Sequence, residues 1–295
     1  MVFTHFNMGS KMSNQAGVAV VDFNGSIFLE SSNVRAQANR LNWRSEVLMG
    51  RNPDCFKGKR VLDLASHDGR FMHAALKHGA SKVIGVEARE EHVIHARHNL
   101  SRAGHAPDSY QVLCGDLVEH LKQIETGSVD TVLCFGVFSH LIEQVEIIRE
   151  IRRIAPGAFI LDTWVAKEQW NLRERLRNHK VNLWVRDTQQ GGDRGLSLLA
   201  RFKRLMASVL PGPGSKVGSM VLLYEDPQAP GATVRPSGLM AWANRSALEM
   251  LFEHFGLEHA RVDWMAQRVS DWTDLEDYRN GSRESWVVRP GRRAS

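Results

Sequence analysis

Acidic and imidazole side chains close several apolar runs of this chain. His140 ends "DTVLCFGVFSH", Asp162 ends the run "GAFILD", and Glu225 and Asp226 follow "VLLY" just before Pro227. An imidazole, with an unperturbed pKa of about 6.5, can accept a proton near neutrality. His140 is therefore the candidate general base, with Asp162 as the carboxylate that orients it or holds a substrate hydroxyl. A helix cap and a strand-end cap are the plainer readings of these two residues. Asp162, Glu225 and Asp226 together also form a candidate set for a hard cation such as Mg²⁺, which prefers oxygen ligands. Turn chemistry before Pro227 is the favoured reading of Glu225 and Asp226.

A second concentration of chemistry is "VLDLASHDGRF" at 61–71. It has the pattern of a strand, a tight turn and a helix start. That geometry aims backbone N–H groups and a helix N-terminus at an anionic or zwitterionic ligand. A dinucleotide turn would need G-x-G-x-x-G, and only Gly69 is present, so a pyrophosphate is disfavoured. Asp68 reads as a helix N-cap. His67 either contacts the ligand or fills the space that a glycine would leave open.

These residues need a scaffold, and the surrounding pattern supplies one. "RVLDLA", "KVIGVEA", "YQVLCGD", "VDTVLCFGVF" and "GAFILDTW" are β-rich runs separated by helical segments, including "GRFMHAALKHGA" and "EEHVIHARHNLSRAG". Leu141, Val145, Ile148 and Ile151 are spaced as the core-facing stripe of a further helix. Five strands alternating with helices predict an α/β, doubly wound, Rossmann-like sheet, with ligands at the carboxyl ends of its strands. "SMVLLYED" reads as a strand inside an insertion, "SALEMLFEHFG" as a helix stopped by Gly256, and "HARVDW" and "ESWVVRP" as the last two strands. The expected sheet is seven-stranded and mostly parallel, with the last strand antiparallel and a lid-like insertion after strand 5. The expected divisions are 1–59 (an N-terminal segment), 60–164 (the binding core), 165–240 (the insertion) and 241–295 (completion of the sheet).

Asp63–Gly69, "DLASHDG", resembles the first motif of the class I S-adenosylmethionine-dependent methyltransferases, D-x-G-x-G-x-G, with Ala65 and His67 at the first two glycine positions. Glu87 matches the family's acidic residue after the second strand, Asp116 the one after the third, and "FGVFSHL" the fourth-strand motif. The resemblance implies S-adenosylmethionine as cofactor. Asp63, Ala65, Ser66, His67 and Gly69 would surround its methionine end, with Phe135 lining it. Glu87, with Ala88 beside it, would take the ribose hydroxyls, and Asp116 and Leu117 would take the adenine. Arg44 in "WRSE" would pair with the cofactor carboxylate. "WRSE", "DTVLCFGVFSH" and the C-terminal run from "GATVRPSG" to "SWVVRP" look like the enzymes that carboxymethylate wobble uridine in tRNA. The His140 and Asp162 placement is similar to that of sugar O-methyltransferases.

Methylation of a small hydroxylated acceptor such as a sugar is the expected function. A tRNA-modifying enzyme and a cofactor-binding scaffold without catalysis are its rivals. Trp242, Trp264, Trp272 and Trp286 could wall an acceptor, although core packing is their commoner use. The chain of 295 residues carries a net charge of +5, and between 167 and 216 eleven Lys/Arg face four acids, a local excess of +7. Such a stretch is a solvated face or an attraction for anions, which keeps nucleic acid as a second partner class behind a small molecule. No apolar run is long enough for a bilayer span, so no membrane association and a cytoplasmic location are expected. Cys55, Cys114 and Cys134 lack C-x-x-C spacing and are expected to be buried thiols or bystanders.

Overall fold

The computed structural model describes residues 21–30, 37–154, 156–167, 218–229 and 231–291. Five parallel strands run in the order β3 (Tyr110–Cys114), β2 (Lys82–Glu87), β1 (Arg60–Leu64), β4 (Thr131–Phe135) and β5 (Ala158–Trp164). β9 (Arg283–Pro290) continues the sheet antiparallel to β5, and β8 (Leu257–Arg261) closes it antiparallel to β9. The seven-stranded, mostly parallel expectation holds. β4 is buried along its whole length, as a strand covered on both faces must be.

Alternate strand residues feed two apolar layers. Val61, Val83, Leu133 and Ile160 meet α2 (Ala38–Ser45), α3 (Arg70–Lys77) and α4 (Glu90–Arg102) on one face. Leu62, Val86, Cys134 and Leu161 meet α5 (Leu117–Gln123), α6 (Gln144–Ile154) and α7 (Arg245–His254) on the other. The stripe expected on α6 needs one correction. The helix starts at Gln144, and Ile147, Ile148, Ile151 and Ile154 form its buried face, while Val145 is 44% exposed.

Outside the sheet, β6 (Met220–Tyr224) and β7 (Leu239–Ala243) pair antiparallel as a separate ribbon. β7 crosses the expected 240/241 division. A short helix, α1 (Ile27–Glu30), precedes α2, and another, α8 (Glu276–Arg279), precedes β9. The basic residues of 168–216 lie outside the described residues. Among the described residues no helix is long and apolar enough to cross a membrane. Cys55 and Cys134 are buried and Cys114 is exposed, and all three are free thiols.

Candidate active site

The turn after β1 keeps the backbone of a glycine motif without its glycines. Ala65, His67 and Gly69 have φ of 56°, 51° and 84°, in the left-handed region that costs an L-residue about 1–2 kcal/mol. Hydrogen bonds from the neighbouring strand offset that cost. Ser66 N donates to Val86 O at 3.0 Å, and His67 N donates to Glu87 Oε2 at 3.0 Å. Arg89 N donates to Glu87 Oε1, also at 3.0 Å. The glycine that matters for packing is Gly85 in β2, since a Cβ there would lie 2.6 Å from Ser66 Oγ. Asp68 precedes the N-cap position, Gly69, and its Oδ1 accepts the N–H of Arg70, the first residue of α3, at 3.3 Å. Its buried carboxylate takes Arg70 Nε and Nη2, each at 2.7 Å. Burial would raise that carboxyl, but the His67 hydrogen bond and the Arg70 charge outweigh burial and hold it below the usual range.

Three buried polar atoms cluster around this turn without partners among the described residues: Asp63 Oδ2, Ser66 Oγ and His67 Nε2. Burial, and then the Glu87 charge, push the Asp63 carboxyl up to about 8, although Arg44 pulls the other way. An uncompensated buried polar group is costly, so partnerless atoms gathered at one turn mark a place for a polar ligand. Each Glu87 oxygen spends one acceptor position on a backbone N–H and keeps another for a hydroxyl. Leu117 and Phe135 supply apolar surface, both being buried, and Ala88 lies exposed beside Glu87. Asp116 Oδ1 caps α5 through Val118 N and Glu119 N, and its Oδ2 meets Arg235 Nη1 at 2.9 Å. These donors and acceptors fit a zwitterionic adenosyl group better than a pyrophosphate.

Residues 61–156 match the family model described as a methyltransferase domain. That stretch, about a third of the chain, is similar to a methyltransferase domain. In solved structures, the S-adenosylmethionine-dependent methyltransferase from Mesorhizobium loti is 15% identical, aligns over 84% of this chain and 99% of its own, and has a TM-score of 0.50. The N-terminal domain of EvdMO1 with SAH bound is 17% identical over 81% of this chain and 77% of its own, with a TM-score of 0.48. At such identities the likeness describes the fold.

Beyond the turn, the structure redistributes the residues expected to do chemistry. Asp162 is 0% exposed and does not support His140. Its carboxylate accepts from Arg44 Nη2 at 2.5 Å, Tyr278 Oη at 2.9 Å, Ser285 Oγ at 2.8 Å and Arg283 Nη1 at 3.4 Å. Burial alone would raise the Asp162 carboxyl, but the Arg44 and Arg283 charges keep it lowered and ionised. Arg40, one helical turn before Arg44, forms a two-pronged pair with Asp277 at 2.8 and 2.7 Å. Sequence reading missed Arg40, Asp277, Tyr278, Arg283 and Ser285. The i, i+4 spacing of Arg40 and Arg44 was the available signal. Arg44 is committed to Asp162 and stacks over Phe71 and Phe135, while its Nε has no partner among the described residues.

His140 lies in a short helical turn, Phe138–His140, after β4. Its carboxylate partner is Glu225, whose Oε2 lies 2.8 Å from Nδ1. Thr233 N donates to the same Glu225 oxygen at 2.8 Å. The connection from β6 to β7 carries both residues and crosses three strand ends. Ala232 O accepts from Arg89 Nη2 after β2 at 2.7 Å, Arg235 meets Asp116 after β3 and Glu143 at 2.9 and 3.0 Å, and Glu225 meets His140 after β4.

The expected cation set is not assembled. Asp162 is enclosed by arginines, Glu225 serves His140, and Asp226 Oδ1 accepts from Gln228 N at 3.0 Å in an ordinary turn. No group of three or more His, Cys, Asp or Glu suited to a metal occurs among the described residues. The four tryptophans also divide. Trp264 and Trp286 are core, and Trp272 packs against the core. Trp242 instead stacks on Trp164, 5.6 Å between centroids and 14° from parallel.

Proposed function

We propose that the protein methylates a hydroxyl of a small acceptor such as a sugar or glycoside, using S-adenosylmethionine, with His140 as general base. The observation that carries this reading is the His140–Glu225 contact on the edge of the sheet that also bears the Asp63–Gly69 turn. When bound, S-adenosylmethionine supplies a methyl group on a sulfonium, an electrophile that needs no further activation. The protein's part is to align an acceptor oxygen and remove its proton.

In this reading Asp63, Ser66 and His67 hold the amino-acid end of the cofactor through their partnerless atoms, with the free Arg44 Nε as a further donor. Glu87 takes ribose hydroxyls, and Leu117 with Asp116 flanks the base. His140 Nε2 takes the acceptor proton. The Trp164–Trp242 pair offers aromatic surface of the kind on which sugar rings stack. The basic 167–216 stretch behind the tRNA alternative lies, apart from Lys167, outside the described residues.

Titration with S-adenosylhomocysteine by calorimetry, followed by turnover on a panel of hydroxylated acceptors, tests the reading. His140→Ala should lower turnover by roughly a hundredfold or more and leave S-adenosylhomocysteine affinity within about twofold. Unchanged turnover removes His140 from the mechanism. Absence of S-adenosylhomocysteine binding overturns the whole reading.

A further inference from the structure

We infer that Glu225 is the positioning residue for His140: it fixes the ring in the Nδ1–H tautomer and so leaves Nε2 as the proton acceptor. The inference rests on the methyltransferase reading and adds a residue to it. An ionised carboxylate has no proton to give, so in a 2.8 Å contact with Glu225 Oε2 the proton must sit on Nδ1. Among the described residues His140 Nε2 has no partner, and its lone pair is free for an acceptor hydroxyl.

Glu225 is itself held at several points. Its Oε2 also accepts Thr233 N at 2.8 Å, and its backbone N donates to Gly238 O at 2.8 Å. Arg235, two residues past Thr233, is anchored on Asp116 and Glu143. A carboxylate held at both its backbone and its side chain can orient a ring, whereas a swinging surface acid cannot. Stability gives little reason for the pair, because both side chains are about a quarter exposed, 25% and 24%, and exposed pairs contribute only about 0–1 kcal/mol. The strap has a second consequence. Its Arg235 touches the acid expected at the adenine, so the adenosine side and the base are tied to one segment.

The test uses the full chain with ¹⁵N-labelled histidine at about pH 8, above the unperturbed histidine range. Long-range ¹H–¹⁵N spectra report the tautomer, and the His140 signal is identified by its loss in His140→Ala. The wild type should show Nδ1–H. Glu225→Ala should lose that preference and lower kcat by roughly tenfold or more, with acceptor KM and S-adenosylhomocysteine affinity within about threefold. Glu225→Gln keeps an acceptor oxygen and should restore the tautomer and part of kcat. An Nε2–H ring in the wild type, or an unaltered tautomer in Glu225→Ala, overturns the inference, and the wild-type spectrum decides even where the Ala variant fails to fold. Failure of the base reading looks different: Nδ1–H would be present, yet His140→Ala would turn over normally.

Discussion

Glu87 Oε2 accepts the backbone N–H of His67 at 3.0 Å, so the acid that ends β2 holds the turn that follows β1. A carboxylate across the strand boundary does part of the shaping that glycines do elsewhere, and the turn's conformation becomes testable without any ligand.

Ala65 is the cleanest place to test it. An alanine at φ 56° carries a left-handed penalty of about 1–2 kcal/mol, whereas glycine costs about 0.5–1 kcal/mol through the freedom of the unfolded chain. Ala65→Gly should therefore be neutral or stabilise by up to about 1 kcal/mol in urea unfolding. The loss usual for an alanine-to-glycine change would show that the turn is not strained there.

Asp162 should behave as a structural residue. Removing one member of a buried ion pair typically costs about 3–5 kcal/mol, because its partners remain charged and unpaired. Asp162→Ala should lose stability on that scale by chemical denaturation, and Ser285→Ala, which removes a hydrogen bond donated to a charged carboxylate and one accepted from Trp264 Nε1, should lose about 1.5–3 kcal/mol. A normally stable Asp162→Ala protein with abolished turnover would return Asp162 to the chemistry.

Asp63 gives a pH signature. Its folded-state pKa is pushed up to about 8, well above the ordinary carboxylate range. Its contribution is therefore whole below the unfolded value and is lost as pH rises through about 8. Melting curves of Asp63→Asn and wild type between pH 5 and pH 8.5 should diverge in the variant's favour as pH rises. A constant difference would mean that Asp63 is ionised throughout.

The fold was legible because the parallel strands read as short apolar runs separated by helical segments, with Glu87 ending β2 and Asp116 two residues past β3. The turn was legible only as a motif. Alanine and histidine give no local sign of positive φ, and the alignment with glycine positions was the sole indication. The partner of His140 was not legible, since Glu225 is 85 residues away and reaches it through a ribbon whose second strand went unrecognised. Asp162 was misassigned for a similar reason. A strand-end acid looks free until β9 and α8 bring Ser285, Arg283 and Tyr278 onto it. Val145 failed as a core residue because the stripe was started from Leu141, which lies ahead of α6.

The Arg40–Asp277 pair joins residues 237 positions apart, and it has a meaning for synthesis. At roughly 5–20 residues per second, a ribosome completes Asp277 on the order of ten to fifty seconds after Arg40. Until then the arginines of α2 lack the aspartate and the C-terminal strand they pack on in the finished molecule. The helix α2 is thus made before the Asp63–Gly69 turn, yet its Arg40 finds its aspartate only after the turn and the five parallel strands have all been made.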